Sequence, residues 1–156
     1  MQIVLISDTH SQNEILHALT EKYKKADAFI HCGDLEDDPR LYPQWLIVKG
    51  NNDYGKFRDH LRLRAGTHRI YVTHSHHCSY LYREKNLERL AKEYDCDIVF
   101  YGHTHVSRIT KTNDMLLVNP GSARLPRDGK SPSYALVNID GDQVDVKIIH
   151  QEEWDF

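Results

Sequence analysis

The sequence Ile98-Val99-Phe100-Tyr101-Gly102-His103-Thr104-His105 joins four apolar residues to a glycine and two histidines. An apolar run that is rich in β-branched and aromatic residues predicts a short buried strand. Because glycine adopts backbone angles that other residues rarely take, we expect a sharp turn at Gly102. His103 and His105 then leave the end of the strand towards a common point. Imidazoles grouped in this way are typical of metal ligands.

Polar residues of the same kind follow four more predicted strands. The strands at 2–7, 28–32, 45–49 and 69–73 are followed in turn by Asp8 with His10, by Asp34, by Asn51 and by His74. In open α/β sheets, ligands bind beyond the carboxyl ends of the strands, so all these side chains are expected at one edge. Seven carboxylate, amide and imidazole ligands suit two metal ions that share one carboxylate, an arrangement that hydrolytic enzymes use. Since cysteine is absent from the set, Mn²⁺, Fe or Zn²⁺ suits it better than a thiolate-bound structural zinc.

The remaining pattern predicts one layered domain over residues 1–156. Apolar residues at helical spacing predict one helix after the first strand and another at about 83–94. Antiparallel pairs are predicted for 60–65 with 69–73, for 106–112 with 115–118 around a turn at 113–114, and for 134–139 with 143–150. Mixed strand directions with helices between them favour a layered α/β sandwich. The segment 119–122 is expected to break the chain, and the tail 151–156 is either partly disordered or docks its two aromatic residues.

Composition describes an ordinary globular protein, with 40% hydrophobic and 28% charged residues among 156. A formal net charge of −3 provides no basic stripe, so strong nucleic-acid binding is not expected. The three cysteines are odd in number and form no C-x-x-C pair, which is typical of reduced thiols in a cytoplasmic protein. Hydropathy shows no window of membrane-spanning length, so no membrane association is expected.

Five sequence blocks occur in order at the predicted strand ends. They are Asp8-x-His10, Gly33-Asp34, Gly50-Asn51-x-Asp53, His74-x-His76 and Gly102-His103-x-His105. Together they resemble the calcineurin-like metallophosphoesterase superfamily, and the short chain and the motif at 119–122 are similar to its small single-domain YfcE-like phosphodiesterases. The resemblance implies a layered αββα sandwich of two mixed β-sheets flanked by helices.

The resemblance also implies a role for each motif residue. Asp8, His10 and His105 would bind a first metal, Asp34 would bridge, and Asn51, His74 and His103 would bind a second. The cofactors implied are two divalent ions, Mn most favoured, with Fe, Zn or Ni as alternatives. A water between two cations loses a proton near neutral pH, and the resulting hydroxide attacks phosphorus in line with the leaving group. The expected activity is hydrolysis of a small or exposed phosphodiester.

Two positions depart from the family pattern. Relatives often carry histidine or cysteine where this chain has Asn52, and an amide supplies no proton at neutral pH. We therefore expect a preference for good leaving groups, unless His76 or a metal-bound water supplies the proton. Asp53 could orient Asn52 or a ligand. The glycine of the usual H-G-H block is Ser75, which is compatible with His74 as a ligand if the backbone there does not need a positive φ.

Several expectations are less specific. Arg127 either clamps a phosphate bidentately or is solvated. His31 is expected to be either structural or solvated, and Cys32 to be a small buried apolar residue. Exposed edge strands in the terminal hairpins could pair into a homodimer. The alternatives to a phosphodiesterase are a protein-interaction scaffold, as for a retromer-coat relative of the same fold, and a nuclease. The complete ligand set argues against the scaffold, and the missing basic stripe argues against the nuclease.

Overall fold

The computed structural model describes residues 1–112 and 114–156, which form two five-stranded sheets and two α-helices. The helices are α1 (Glu14–Lys22) and α2 (Arg83–Glu93). The strands are β1 (Gln2–Ile6), β2 (Ala28–His31), β3 (Trp45–Ile47), β4 (His60–Ala65), β5 (His68–Thr73), β6 (Ile98–Tyr101), β7 (Ser107–Lys111), β8 (Leu116–Pro120), β9 (Ser133–Asp140) and β10 (Gln143–His150). Short 3₁₀ turns cover Pro39–Leu41 and Gln151–Glu153.

The first sheet has the strand order β10-β9-β1-β2-β3. Its strands β1, β2 and β3 are parallel neighbours, whereas β9 and β10 extend the sheet in the antiparallel direction. In the second sheet the order is β4-β5-β6-β8-β7, with β5, β6 and β8 parallel and an antiparallel strand at each edge. Parallel neighbours end at the same edge of a sheet, so each sheet brings several strand ends together.

Three apolar clusters separate four layers. Ile3 and Leu5 of β1 lie between the two sheets together with Phe100 of β6. Their β1 neighbours Val4 and Ile6 point to the opposite face and pack under α1. A third cluster joins α2 to the outer face of the second sheet. A strand covered on both faces must be apolar throughout, which explains the unbroken run in β1. The predicted αββα sandwich is confirmed.

Some boundaries differ from those predicted. β3 ends at Ile47, and β8 continues through Pro120, so the predicted break at 119–122 begins later than expected. Pro120 is tolerated as the last residue of its strand, where a missing N–H disturbs few ladder bonds. The predicted turn at 113–114 lies partly outside the described residues. The tail docks: Trp154 packs against the cluster under α1, and its ring stacks on Phe156.

The structure also describes the cysteines and the length of the helices. Cys32, Cys78 and Cys96 are buried free thiols in the part of the chain that the structure describes. Neither α1 nor α2 is long and apolar enough to cross a membrane, and the same holds for every helix within residues 1–112 and 114–156.

Candidate metal centre

The seven predicted ligands lie at the carboxyl ends of five strands. Asp8 and His10 follow β1, Asp34 follows β2, Asn51 follows β3, His74 follows β5, and His103 and His105 follow β6. The first sheet therefore carries four of these side chains and the second carries three. Because the sheets pack face to face, their strand ends meet above the inter-sheet core.

Four of these residues form a compact cluster. Asp8, His10, Asp34 and His105 each offer a ligand atom, and all four atoms lie within 4.8 Å of one another. Nε2 of His105 is 3.1 Å from Oδ1 of Asp8 and 3.1 Å from Nε2 of His10. This spacing suits a single ion bound by all four groups.

A second group of side chains adjoins the cluster through Asp34. Nε2 of His74 lies 3.1 Å from Oδ1 of Asn51 and 3.5 Å from Oδ2 of Asp34. The same carboxylate oxygen is 3.8 Å from Nε2 of His10, so Asp34 lies between the two groups. The ring of His103 packs edge-on against that of His74, with 5.1 Å between centroids.

Hydrogen bonds determine which nitrogen of three histidines faces the centre. Nδ1 of His74 is 2.7 Å from the carbonyl oxygen of Cys32, and Nδ1 of His105 is 2.7 Å from that of Leu125. Nδ1 of His10 is 2.6 Å from Oε1 of Glu36. Carbonyl and carboxylate oxygens only accept, so each Nδ1 donates and the lone pair of a neutral ring lies on Nε2. Metal-binding histidines typically have this arrangement.

The residues fit a divalent cation. Oδ1 of Asp8 is buried and accepts no hydrogen bond from any described residue. Nε2 of His105 lies close, but it carries the lone pair of the neutral ring and has no proton to donate. Nε2 of His10 and Nε2 of His105 point at each other, so two lone pairs would repel unless a cation lay beside them. A buried anionic oxygen without a donor is costly on its own. Nitrogen and oxygen ligands without sulfur are suited to Mn, Fe, Zn or Ni ions.

Positive backbone φ angles are concentrated in the ligand loops. The φ values are 55° for Asp8, 45° for His10, 58° for Asp34, 72° for His103 and 58° for His105. Each such angle in a residue other than glycine costs on the order of 1 kcal/mol or more. Such strain persists only where surrounding contacts enforce it, and it is common at functional sites.

Gly102 is required because of close packing, and not because of its backbone angle as we predicted. The φ of Gly102 is not positive, so the sharp turn belongs to His103 and His105 instead. A Cβ atom on Gly102 would overlap Ser7 Oγ and lie 3.0 Å from Asp8 Oδ2. Gly102 is therefore required for space beside the first sheet. Gly50 has the same role, because a Cβ there would overlap the backbone nitrogen and Oδ1 of Asp34.

The condition that we placed on Ser75 is not met. Its φ is 75°, so the position does need the left-handed region. Contacts hold it there: Ser75 Oγ donates to the carbonyl of Gly102 at 3.2 Å and accepts from Arg83 at 2.9 Å. His74 nevertheless lies within the second group, so serine is accommodated at the cost of local strain.

Asn52 and Asp53 contact the ligand loops in different ways. Asn52 is exposed, and it donates to Asp34 from its backbone nitrogen at 2.9 Å and from Nδ2 at 2.7 Å. Asp53 is 3% exposed, and its carboxylate accepts from the backbone nitrogens of Asp34, Gly50 and Glu36 at 2.7–2.9 Å. Asp53 thus connects the loop after β2 to the loop after β3 through buried hydrogen bonds.

His76 and Arg127 lie at the periphery. The ring of His76 is 5.4 Å from that of His74 and 6.3 Å from that of His103, and its Nδ1 is buried with no partner among the described residues. Arg127 is exposed, and its backbone nitrogen donates to the carbonyl of His105 at 2.9 Å. Arg124 reaches the first loop more directly, since its guanidinium donates to the carbonyl of His10.

The electrostatics of the centre favour ionised carboxylates. Burial alone would raise the pKa of Asp34, but hydrogen bonding and attraction from His74 hold it below the usual value. Burial would lower the pKa of His74, and contacts with Asp34 and Asp8 raise it instead. Burial, with repulsion from neighbouring cationic groups, lowers the pKa of His103 and of His76 to about 4.

Sequence reasoning missed two supporting residues. Glu36 orients His10, and its position two residues after the Gly-Asp motif was the available signal. His31, which we expected to be structural or solvated, lies fully buried beneath the loops. Its Nδ1 accepts from the backbone nitrogen of Gly33, so Nε2 carries the proton and donates to Thr9 Oγ1 at 3.1 Å. Thr9 donates in turn to Oδ1 of Asn13 at 2.7 Å.

Comparisons with known proteins agree with this geometry. Residues 1–142 match the family model of the calcineurin-like phosphoesterase superfamily domain. The probable metallophosphoesterase YsnB of Bacillus subtilis is 36% identical over 156 residues, covering 97% of this chain and 92% of its own. A structure from Streptococcus pneumoniae, described as a predicted phosphoesterase, is 31% identical with a TM-score of 0.89, covering 97% of this chain and 90% of that one.

More distant structures share the fold alone. Vps29 of Entamoeba histolytica, solved in complex with Zn²⁺, is 20% identical with a TM-score of 0.74, covering 96% of this chain and 98% of its own. The family match, the fold and the cluster of ligand atoms confirm the predicted class, a metal-dependent phosphoester hydrolase. The chain belongs to the calcineurin-like phosphoesterase superfamily.

Proposed function

We propose that this protein is a dinuclear-metal-dependent phosphodiesterase that hydrolyses a small or exposed phosphodiester. The observation that carries the proposal is the position of Asp34, whose Oδ2 lies between Nε2 of His10 and Nε2 of His74. A carboxylate placed between two groups of nitrogen and oxygen ligands is suited to bridging two cations. The first ion would be held by Asp8, His10, Asp34 and His105. The second would be held by Asp34, Asn51, His74 and His103.

Two divalent ions held in this way, with Mn²⁺ the first choice, would supply the positive charge that activates water and stabilises the transition state of phosphoryl transfer. The side chains of the protein orient the ligands. Glu36, Cys32 and Leu125 accept from Nδ1 of the three oriented histidines, and Asn52 holds both oxygens of Asp34. These contacts fix ligand directions before any ion binds, which reduces reorganisation during the reaction.

In this proposal neither Asn52 nor His76 acts as a strong acid toward the leaving group. Asn52 carries an amide, and His76 is neutral at pH 7 because burial lowers its pKa to about 4. A neutral imidazole donates a hydrogen bond but is a poor source of a full proton. Asp53 is buried beneath the loops and acts as a positioning residue. We therefore propose a preference for substrates whose alcohol leaves readily.

Substrate binding is proposed for the arginines of the loop that follows β8. Arg127 is exposed beside His105, and Arg124 contacts the loop of His10. A guanidinium on a loop that contacts the ligands is suited to binding one non-bridging oxygen of the phosphate. We also propose that the protein acts in the cytoplasm, since its three cysteines are free thiols.

The experiment compares bis-p-nitrophenyl phosphate with p-nitrophenyl phosphate. The protein is stripped of metal and resupplied with Mn²⁺, and bound metal is counted by mass spectrometry. We expect metal-dependent turnover of the diester, weaker turnover of the monoester and close to two ions per chain. Asp34→Ala should abolish turnover and lower the metal count, whereas the exposed Asp145→Asn on β10 should change neither.

A second candidate, a protein-interaction scaffold, is favoured by one surface feature. Tyr80, Leu81 and Tyr82 are consecutive and exposed, and exposed apolar side chains in a row are typical of protein contacts. Absence of turnover with every divalent metal, despite bound ions, would contradict the phosphodiesterase and favour the scaffold.

A further inference from the structure

Arg83, the first residue of α2, carries its charge in an unfavourable place for a helix. The first turn of a helix is the positive end of its dipole, which favours acidic side chains and disfavours a guanidinium. Arg83 is nevertheless partly buried, and its guanidinium donates to two atoms of Ser75, the carbonyl oxygen and, at 2.9 Å, Oγ. The contact with Ser75 offsets the unfavourable position of the charge.

Ser75 connects α2 to two of the ligand loops. Its side chain is buried, and Oγ accepts from Arg83 and donates to the carbonyl oxygen of Gly102 at 3.2 Å. The hydroxyl thus uses both its donor and an acceptor site. The carbonyl oxygen of Ser75 also accepts from the backbone nitrogen of Cys78 at 2.9 Å. Helix α2 is therefore linked through one serine to the loop after β5 and to the loop after β6.

Both ends of this link adjoin ligands of the second group. His74 directly precedes Ser75, and His103 directly follows Gly102. The ring of His74 has its own acceptor in the carbonyl of Cys32, whereas no described residue accepts a hydrogen bond from the ring of His103. The direction of His103 thus depends on the backbone at Gly102 and on the ring of His74, 5.1 Å away between centroids.

The backbone angle of Ser75 makes this link necessary. Its φ of 75° is one that glycine adopts freely and that other residues avoid. A glycine would keep the angle without help but would have no hydroxyl to offer to Gly102. A serine offers the hydroxyl, but surrounding contacts must hold its backbone in the left-handed region. Without the guanidinium, the backbone would relax towards ordinary angles and move His74.

We propose that Arg83 and Ser75 form a tether that positions His74 and His103 for the second metal ion. The inference rests on the proposed function, which places an ion at these two histidines. Arg83 is a positioning residue, because it acts on the ligands through Ser75. The tether also accounts for a complete second group of ligands in a chain that has serine at the usual glycine position of the H-G-H block.

Metal binding to the metal-free protein tests the tether without turnover. Mn²⁺ is titrated in competition with a chromogenic chelator, which gives a separate affinity for each ion. Arg83→Met keeps an apolar stem and removes the donors, so it should weaken one of the two ions about tenfold and leave the other unchanged. A general loss of folding would weaken both. Arg89→Met changes an exposed arginine on the same helix, paired with Glu93, and should leave both affinities unchanged.

Substitutions at Ser75 distinguish the tether from a simple contact. Ser75→Ala removes the hydroxyl and keeps the strained angle, so it should weaken the same ion as Arg83→Met. Ser75→Gly removes the strain, and a glycine needs no guanidinium to hold it. Adding Arg83→Met to Ser75→Gly should therefore cost much less affinity than adding it to the wild type, a coupling that the double-mutant cycle measures. Circular dichroism of each metal-free variant checks that it is folded.

The outcomes separate the tether from the dinuclear site. Unchanged affinities in Arg83→Met, equal weakening of both ions, or the same loss in the serine and glycine backgrounds would each overturn the tether, even if two ions bind. A single ion bound by the wild-type protein would overturn the dinuclear proposal. The tether would then stand only if Arg83→Met still weakened that ion and Ser75→Gly removed the effect, and an unchanged affinity would overturn both.

Discussion

Asn52 holds Asp34 by two hydrogen bonds, one to each carboxylate oxygen. The backbone nitrogen donates to Oδ1 at 2.9 Å, and Nδ2 donates to Oδ2 at 2.7 Å. A residue that offers no acid to the leaving group therefore fixes the carboxylate that is proposed to bridge two metal ions. Substitution at position 52 should separate these two effects.

We predict that Asn52→His speeds the hydrolysis of esters with poor leaving groups. An imidazole at this position could protonate the departing oxygen, and general acids contribute roughly 100-fold or more. Rates for a series of aryl methyl phosphates, plotted against the pKa of the leaving phenol, should show a shallower slope than in the wild type. Asn52→Ala removes the amide without adding an acid, so it should lower all rates and leave the slope steep. An unchanged slope in Asn52→His would contradict this account of the leaving-group preference.

Asp53→Asn should destabilise the fold. The carboxylate of Asp53 accepts three backbone N–H groups in a buried position, and an amide would direct its own N–H₂ group at one of them. We expect the free energy of unfolding to fall by roughly 2–3 kcal/mol. Urea denaturation of the metal-free protein measures this loss. Asp145→Asn on the surface should stay within about 0.5 kcal/mol of the wild type, and a similar value for Asp53→Asn would show that the three contacts are unimportant.

Glu36→Ala should weaken metal binding through His10. Removal of the carboxylate that accepts from Nδ1 frees the ring to rotate and to change tautomer, and losses of this kind are typically 10–100-fold in metal affinity. Competition against a chromogenic chelator measures the affinity. Glu36→Gln keeps an acceptor oxygen, so it should recover part of the loss. Equal affinities for the alanine variant and the wild type would show that Glu36 does not orient His10.

Acid should destabilise the protein through His31. Burial lowers the pKa of His31 from 6.5 to about 3, whereas the unfolded chain takes up this proton near pH 6.5. Below pH 6.5 the unfolded state thus binds one more proton, and this site lowers the free energy of unfolding by about 1.4 kcal/mol per pH unit. In metal-free protein, His31→Gln should lose less stability than the wild type between pH 6.5 and about 4.5. Parallel stability curves would contradict the assignment of this proton uptake to His31.

Sequence patterns predicted the sheet edge and the side chains there because both follow from local rules. Apolar runs mark strands, and parallel strands present their carboxyl ends together, so the pattern of residues is enough to place Asp8, Asp34 and His103 at one edge. The contacts of His74 and His105 could not be predicted, since their partners are backbone carbonyls of Cys32 and Leu125. A carbonyl has the same chemistry in every residue and leaves no trace in the sequence.

Gly102 and Ser75 show a second limit of prediction from sequence. Gly102 is needed because Ser7 and Asp8 of the other sheet lie against it, and that proximity depends on how the two sheets pack. Ser75, conversely, has the backbone angle that glycine favours, and contacts with Arg83 and Gly102 hold it there. Both cases depend on residues distant in sequence, whereas local propensity considers only near neighbours.

The division of the ligands between the two sheets has a consequence for the stability of the protein and for its rate of degradation. Asp8, His10, Asp34 and Asn51 belong to one layer, and His74, His103 and His105 belong to the other. An ion bound among them would cross-link the two sheets. A ligand that binds only the folded state stabilises that state in proportion to the logarithm of the ligand concentration. When the ion is scarce, this stabilisation would be lost, and the protein would be both inactive and easier to unfold and degrade. Metal supply would then regulate the abundance of the protein as well as its activity.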